Sequence, residues 1–577
     1  MSNITACPLD CYDACEILFE QGTIKGLKEG HTNGFLCQHL NHYEKHETIH
    51  VPRYKGAEIT IDQALLKLKE MINSSKNDEI LYYRGTGNFA LMQEVGDHFF
   101  SSYGATLTDG NLCDGAGEEG IIQGRGSNKN MPIHEVAKSE VVIFWGRNPH
   151  VTSSHILPLI KGKTIIVIDP IKTKIAKAAD LHIQLKPHTD LFLAMLLSRF
   201  LHIENGCDEE FLDKYASGYE EYYELTQNLR IKATLEQIDV SLGELGDLLR
   251  QVKGKRVAIV CGVGIQKYSD GVDVMRAIDA FATMLGLFGK EGCGVSYLGS
   301  SREGIASPFK KDAKKASKVN TDFSLFKTVF IQGSNPLSQM PDSIRVRESI
   351  SKVENVVYFG LYENETSEIA DLVIPAKSFL YKDDVRTSYS HNRISIMSKV
   401  ASSDIGISEY ELTAYLCKEY ALPIESEEFY LKYFKSFAIK KMDGLSYVDK
   451  REEIPYKDGF DTEDKEFIFP DEFNSKIGEK DGMHLITSKS QNSLNTQFNR
   501  EESVYLHSSL GFSEGEIVTV SSINGSVELK VKNNDDLRAD CVLIYSGTKG
   551  VNNLTSSKHA LSTKSAIFQE NKVEIKR

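Results

Sequence analysis

The sequence predicts a multi-domain α/β protein, and three observations carry that expectation. Short apolar strands alternate with helical apolar spacing through most of the chain, the pattern of a sheet flanked by helices. One strand–turn unit occurs twice: Val141–Trp145 runs into Gly146-Arg147-Asn148-Pro149, and residues 328–331 run through Gln332 into Gly333-Ser334-Asn335-Pro336. From about residue 482 the chain changes to short β-rich pieces (484–487, 516–521, 527–531 and 541–545) punctuated by Gly511, Gly515, Gly525 and Gly547, which reads as a compact barrel.

At ~150 residues per domain, a chain of 577 residues has room for about four domains. Its 27 Phe and 25 Tyr exclude disorder as the main state. No stretch approaches the ~18 consecutive apolar residues of a membrane helix. With 81 acidic against 67 basic residues the net charge is −14, so the basic excess that drives nucleic-acid binding is missing. The N-terminus carries no basic or apolar export signal and no twin arginine, so a cytoplasmic protein is expected, with a signal-bearing partner as the one route across a membrane.

Ten cysteines are too sparse for a disulfide scaffold, and their distribution is the informative feature. Cys7-Pro8-Leu9-Asp10-Cys11-Tyr12-Asp13-Ala14-Cys15 places three thiols at C-x3-C-x3-C spacing, and Gly34-Phe35-Leu36-Cys37 brings a fourth after 21 residues. Between them Glu16–Glu20 and residues 23–27, joined at Gly22, read as a β-hairpin that returns Cys37 to the first three. Zinc and a [4Fe–4S] cube both take four thiolates. Three close cysteines plus a distant one favour the cube, because zinc sites more often pair two with two. His39 and His42 follow closely and are able to tune the metal centre or simply to pack.

Residues 62–74 have helical spacing at Ala64, Leu65, Leu68, Met71 and Ile72. Cys113 lies in Leu112-Cys113-Asp114-Gly115-Ala116-Gly117, where small residues leave room for a bulky group and a helix opening there would stabilise a thiolate. Strands are expected at 141–145, 164–168, 256–261, 328–331 and 356–360, and helices at 177–201 and 272–288. Trp145, the single tryptophan, reads as core. Downstream of the two G-x-N-P turns, Ala179-Asp180-Leu181-His182-Ile183 matches Ala370-Asp371-Leu372-Val373-Ile374, with Asn-to-Asp separations of 32 and 36 residues. Two copies of one unit predict a pseudo-two-fold arrangement around a shared cleft.

A glycine closing a strand lets a phosphate approach the backbone. Gly262-Val263-Gly264 offers a third such turn, and Asp169 at a strand tip is placed to accept from a ribose or a base. Neither G-x-G-x-x-G nor a P-loop is present, which removes ordinary NAD and ATP sites. Residues 420–480, rich in charge, read as connecting or peripheral structure.

Taken in order, these motifs resemble the molybdopterin oxidoreductase family, the dimethyl-sulfoxide-reductase group that includes formate dehydrogenases, nitrate reductases and polysulfide reductases. The likeness spans essentially the whole chain: the cysteine run, Leu112-Cys113, Trp145-Gly146-Arg147-Asn148-Pro149 and Ile168-Asp169-Pro170, then Lys186-Pro187-His188-Thr189-Asp190, Glu365-Thr366 with Asp371, and the blocks 494–498 and 551–555.

The resemblance implies a [4Fe–4S] cluster on Cys7, Cys11, Cys15 and Cys37, and a molybdenum or tungsten ion carried by two molybdopterin guanine dinucleotides with Cys113 as its protein ligand. On that mapping Gly146, Asn148, Asp169 and Asp190 serve one dinucleotide, Gly333, Asn335, Glu365 and Thr366 the other, and Asn495 and Asn552 cap the pterins. Asp114 becomes a candidate proton carrier, or a helix cap. His39 occupies the place where many members put a Lys or Arg between cluster and pterin. Asp114 stands where formate dehydrogenases place a histidine, which points away from formate.

The domains implied are an iron–sulfur unit at 1–50, a discontinuous α/β unit at 51–135 with 335–450, an α/β dinucleotide-binding unit at 136–334 and a C-terminal barrel at 475–577. The expected activity is two-electron redox chemistry on a small substrate, with single electrons passing through the cluster and exchanged with an external carrier or an iron–sulfur subunit. The rival readings are a catalytically silent electron-transfer scaffold resembling the large iron–sulfur subunit of respiratory complex I, and a zinc-stabilised α/β binding protein.

Overall fold

The two strand–turn units lie in separate, mostly parallel sheets. In the first, five parallel strands run in the order Leu181–Ile183, Thr164–Ile168, Val141–Trp145, Val257–Cys261 and Gly294–Ser296. Branched apolar residues fill these strands because both faces are covered by helices, so every residue of Val141–Trp145 and Val257–Cys261 is buried. The second sheet has eight strands, ordered Lys315–Ser317, Thr106–Asp109, Ile80–Arg84, Thr328–Gln332, Asn355–Gly360, Leu372–Pro375, Arg53–Tyr54 and Ala57–Glu58. The protein is described from a computed structural model that covers residues 3–29, 32–41, 43–85, 89–441, 445–475 and 482–577.

The units match in their hydrogen bonding as well as in sequence. Gly146 N–H donates to Ile168 O at 2.7 Å and Gly333 N–H to Phe359 O at 2.8 Å. Asp180 accepts from Ile165 N–H at 2.8 Å, and Asp371 from Val356 N–H at 2.9 Å. The repeated Asp therefore ties the start of the neighbouring strand and contributes nothing to a ligand site.

Several expected elements appear with their limits nearly unchanged: the hairpin Glu16–Glu20 with Thr23–Gly26, and the helices Ile61–Asn73 and Gly271–Met284. Residues 483–576 close a six-stranded barrel. Three expectations are corrected. The single helix foreseen at 177–201 is instead the strand Leu181–Ile183 and the helix Asp190–Ile203, because residues 181–183 continue the parallel sheet and Pro187 breaks the segment that joins the two. Strands Lys315–Ser317 and Thr328–Gln332 belong to the second sheet, so the limit placed at 334/335 does not separate the two sheets. Residues 420–480 are not merely peripheral: Phe460, Phe467 and Phe469 are buried in the core of the first sheet. Among the described residues no helix is long and apolar enough to cross a membrane.

Candidate active site and cysteine cage

A cavity of about 810 Å³ runs along the carboxyl ends of both parallel sheets, where open α/β sheets bind ligands. Its floor is built by paired backbone turns that only glycine permits. A Cβ on Gly262 would lie 1.7 Å from Gly146 O, and one on Gly85 would lie 2.4 Å from Gly333 O. Gly146 and Gly333 themselves sit at φ of 61° and 54°, the left-handed region that other residues avoid. The third glycine turn is thus the first sheet's partner to Gly146, just as Gly85 is the second sheet's partner to Gly333.

Cys113 lines this cavity beside Asp114. Its loop is held from two directions. Asn111 Oδ1 accepts from Cys113 N–H at 2.6 Å and from Asp114 N–H at 3.1 Å. Gln266, just beyond the third turn, donates to Cys113 O at 2.8 Å and accepts from Gly117 N–H at 2.9 Å. The helix Gly115–Arg125 opens as expected, but two features of it differ. A Cβ on Gly115 or Gly117 would meet Ser565 Oγ at 2.5 Å or the Tyr297 ring at 2.7 Å, so these glycines make room for protein rather than ligand. The helix end does not yield a thiolate either: burial, then the neighbouring Asp114, push the Cys113 thiol up to about 12. A bound metal ion would supply the charge that displaces that proton.

Asp114 is at the helix N-cap position, yet its carboxylate caps nothing and accepts from Asn111 Nδ2 at 2.8 Å. Burial, reinforced by Glu118, lifts its carboxyl to about 6. Asn148, Asp169, Asp190, Asn495 and Asn552 also line the cavity. Burial raises Asp169 to about 7, the environment of a carboxyl able to accept from a buried N–H. Asp190 accepts from Trp145 Nε1 at 2.7 Å, and that tryptophan is wholly buried, as its core reading required. Asn335, Glu365 and Thr366 stand one layer behind Gly333 and satisfy one another: Asn335 donates to Glu365 at 2.7 Å and accepts from Thr366 at 2.8 Å. Arg500 from the barrel completes that set at 2.6 Å from Glu365.

His39 does not face the cavity. Its ring stacks on Phe498 at 5.2 Å, and burial drops its pKa to about 4. His42 lies outside the described residues. Among the charged groups that line the cavity with Cys11 and Cys113 are Asp10, from inside the cysteine run, and Lys489, from the barrel. Asp10 accepts from Asn495 Nδ2 at 2.8 Å and lies 3.6 Å from Lys489 Nζ. Asp10 was legible in the motif; Lys489, Gln266 and the half-buried Tyr389, which also lines the cavity, carry no local sequence signal.

The four N-terminal cysteines form a cage under the cavity floor. Cys7 N–H donates to Cys15 O at 2.8 Å, and Leu40 N–H to Cys37 O at 3.1 Å. All four are free thiols. Burial raises each above its ordinary value, and the thiols add to one another's shift: Cys37 and Cys11 act on Cys7, and Cys7, Cys11 and Cys37 act on Cys15. Four free cysteines gathered here are a donor set for a group that takes four thiolates, and a bound metal group would supply the charge that displaces their protons. Among the described residues, the ligand atoms that converge within 4.8 Å are those of Asp13, Cys15 and His155, whereas no three of the four thiols do. His155 is held by Asp13 at 2.6 Å and stacks on Phe35 at 4.1 Å.

Comparison with known proteins agrees with this geometry. The family model "Molybdopterin oxidoreductase" matches residues 58–418, and "Molydopterin dinucleotide binding domain" matches 483–571. "Probable oxidoreductase YyaE" of Bacillus subtilis is 27% identical over 427 residues, covering 67% of this chain and 64% of that protein. "Formate dehydrogenase H" of Escherichia coli is 24% identical over 456 residues, covering 67% of this chain and 63% of that one. These matches thus cover less than two thirds of the relatives' own length. Among solved structures, acetylene hydratase from Pelobacter acetylenicus aligns with a TM-score of 0.74 at 16% identity, covering 95% of this chain and 93% of that one, which establishes a shared fold.

Proposed function

The chain belongs to the molybdopterin oxidoreductase family, and on that premise we propose that it is a molybdenum- or tungsten-dependent enzyme performing two-electron redox chemistry on a small substrate. Single electrons pass through one [4Fe–4S] cluster and are exchanged with an external carrier or an iron–sulfur subunit, in the cytoplasm. The observation that supports this reading most directly is Cys113, fixed from both sides at the edge of a cavity floored by two matched pairs of glycine turns and shared with Cys11.

The residues present suit the cofactor. Cys113 would bind the metal as a soft anionic ligand. Gly146, Asn148, Asp169 and Asp190 would serve one dinucleotide, and Gly333 the other. There Asn335, Glu365 and Thr366 would fix the turn's shape through the hydrogen bonds they exchange. Asn495 and Asn552 would close over the pterins. Cys7, Cys11, Cys15 and Cys37 would hold the cluster. When bound, the metal–dithiolene group supplies the electron-pair chemistry, and the protein sets position and electrostatics. Asp114, whose carboxyl burial and Glu118 raise to about 6 in the metal-free chain, would hold or release a proton beside the metal.

Elemental and nucleotide analysis of anaerobically purified protein tests this. Molybdenum or tungsten is expected near stoichiometry, with two guanine nucleotides released per metal and about four iron per chain. Cys113→Ser should lose the metal first and keep the iron. Iron at full occupancy with less than about a tenth of an equivalent of Mo or W would defeat the enzyme reading in favour of a silent electron-transfer scaffold. A viologen-coupled screen against formate, nitrate, thiosulfate, polysulfide and sulfoxides then identifies the substrate.

A further inference from the structure

Arg386 stands out among the buried charges. It lies on the strand Asp384–Thr387 and is 0% exposed. Its guanidinium donates to backbone carbonyls: Nε to Cys7 O at 3.1 Å, Nη2 to Cys11 O at 3.3 Å and Leu9 O at 3.4 Å, and Nη1 to Thr387 O. The guanidinium carbon lies 5.1 Å over the Phe89 ring. The ionisable groups in electrostatic range are the Cys7 thiol first, then Tyr389, Cys11 and Asp10. Asp10 is already engaged by Asn495 and Lys489.

Buried Arg451 likewise donates to backbone carbonyls, whereas buried Arg125 has a bidentate carboxylate in Asp279. Arg386 has none hydrogen-bonded among the described residues. A guanidinium cannot shed its proton to escape burial, so an unpaired one is a standing electrostatic cost. Burial accordingly lowers its pKa, and the Cys7 thiol is the largest opposing influence.

We propose that Arg386 is a positioning residue for the cysteine cage: its fixed charge is the counter-ion of the thiolate-bound cluster and raises that cluster's reduction potential. The inference rests on the cluster reading above. Four thiolates around an oxidised cube leave a net negative charge, and one-electron reduction, by the external carrier or by the molybdenum or tungsten centre according to the direction of flow, adds one more without making or breaking a bond. A fixed cation nearby therefore stabilises the reduced form more than the oxidised one. The same side chain, by bonding Cys7 O, Leu9 O and Cys11 O, holds the loop that presents two of the thiols.

The test is an EPR-monitored redox titration of the anaerobic holoprotein, with iron and sulfide counted, for the parent, Arg386→Lys and Arg386→Gln. In Arg386→Gln the ratio of reduced to oxidised cluster at fixed potential should fall about tenfold, a midpoint lower by about 59 mV for a one-electron couple. Arg386→Lys should restore most of it. If Arg386→Gln binds no cluster at all, Arg386→Lys should still bind one. A Gln variant that titrates with the parent's midpoint, or a Lys variant that loses the cluster as completely as Gln, would overturn the proposal. A parent protein without iron and sulfide would instead refute the cluster reading on which it rests.

Discussion

Removing Arg125 should destabilise the half of the molecule that presents Cys113, by an amount the structure bounds. Arg125 closes the helix Gly115–Arg125 and reaches Asp279 on Gly271–Met284, with side chains 1% and 0% exposed. Its Nε lies 2.7 Å from Oδ2, Nη2 bonds Oδ1, and Nη1 donates to Lys129 O at 3.2 Å. The guanidinium also lies 4.6 Å over the Phe288 ring. Burial opposes the arginine's charge, and Asp279 outweighs it, holding the guanidinium above its usual pKa. In Arg125→Met the carboxylate stays buried without its partner, which costs about 3–5 kcal/mol.

The two helices approach closely at Gly120, where a Cβ would lie 2.4 Å from Val272 O, so neither can move to let water in. Trp145, the single tryptophan, is 0% exposed in the core of the same sheet, so its fluorescence reports on this region during urea unfolding. A loss of about 3–5 kcal/mol with an m-value of about 1–3 kcal/mol/M moves the midpoint down by roughly 1–5 M. Arg125→Met combined with Asp279→Leu should recover most of the loss, because an apolar pair replaces the ion pair at little cost. A single variant within about 1 kcal/mol of the parent would refute the argument, since an exposed pair behaves that way.

The glycine floor and a second buried carboxyl can each be tested in the same way. Gly262→Ala places a methyl 1.7 Å from Gly146 O and must push the paired turns apart, so guanine nucleotide recovered after acid release should fall below half the parent's; full recovery would show that the turns do not contact the ligand. Burial raises Asp384 from 3.8 to about 7 against hydrogen bonds from Met92 and Val385 N–H. Between those two values the folded chain holds a proton that the unfolded chain gives up, so Asp384's contribution to stability falls as pH rises through the window and stays low above about 7. Asp384→Asn should therefore match the parent near pH 4 and exceed it by about 2–4 kcal/mol at pH 8, and parallel stability–pH curves would contradict the assignment.

What was legible in the sequence was whatever depends on neighbours along the chain. The C-x3-C-x3-C run, the G-x-N-P turns and the glycines after Cys113 are local patterns, and each marked an element that lines or underlies the cavity. The rest arises where distant segments meet in space. Gln266 holds the Cys113 loop across 153 positions, and nothing beside it in sequence says so. Lys489 enters the cavity from the barrel, where a lone lysine looks like any surface residue. His39 was placed by the resemblance and turned away by Phe498. Phe460, Phe467 and Phe469 were obscured because charged neighbours dominate the composition around them, although burial depends on individual side chains rather than averages. In the metal-free chain desolvation raises the Cys113 thiol by more than one helix terminus returns, so a thiolate there depends on a bound metal, which no local pattern shows.

The far end of the barrel reaches back to the Cys113 loop: Asn111 N–H donates to Lys564 O at 3.0 Å, Ala566 N–H donates to Asn111 O at 2.9 Å, and Lys564 Nζ pairs with Asp109 at 2.8 Å. Ribosomal synthesis delivers that clasp after nearly all of the cavity's walls, with only Phe568 and Gln569 following it. A large prosthetic group therefore has to be inserted into a nascent or unlatched chain, and once residues 564–566 engage, its escape requires parting the clasp. Retention is then governed by the rate of that parting more than by affinity, so dilution alone should strip the holoprotein only slowly.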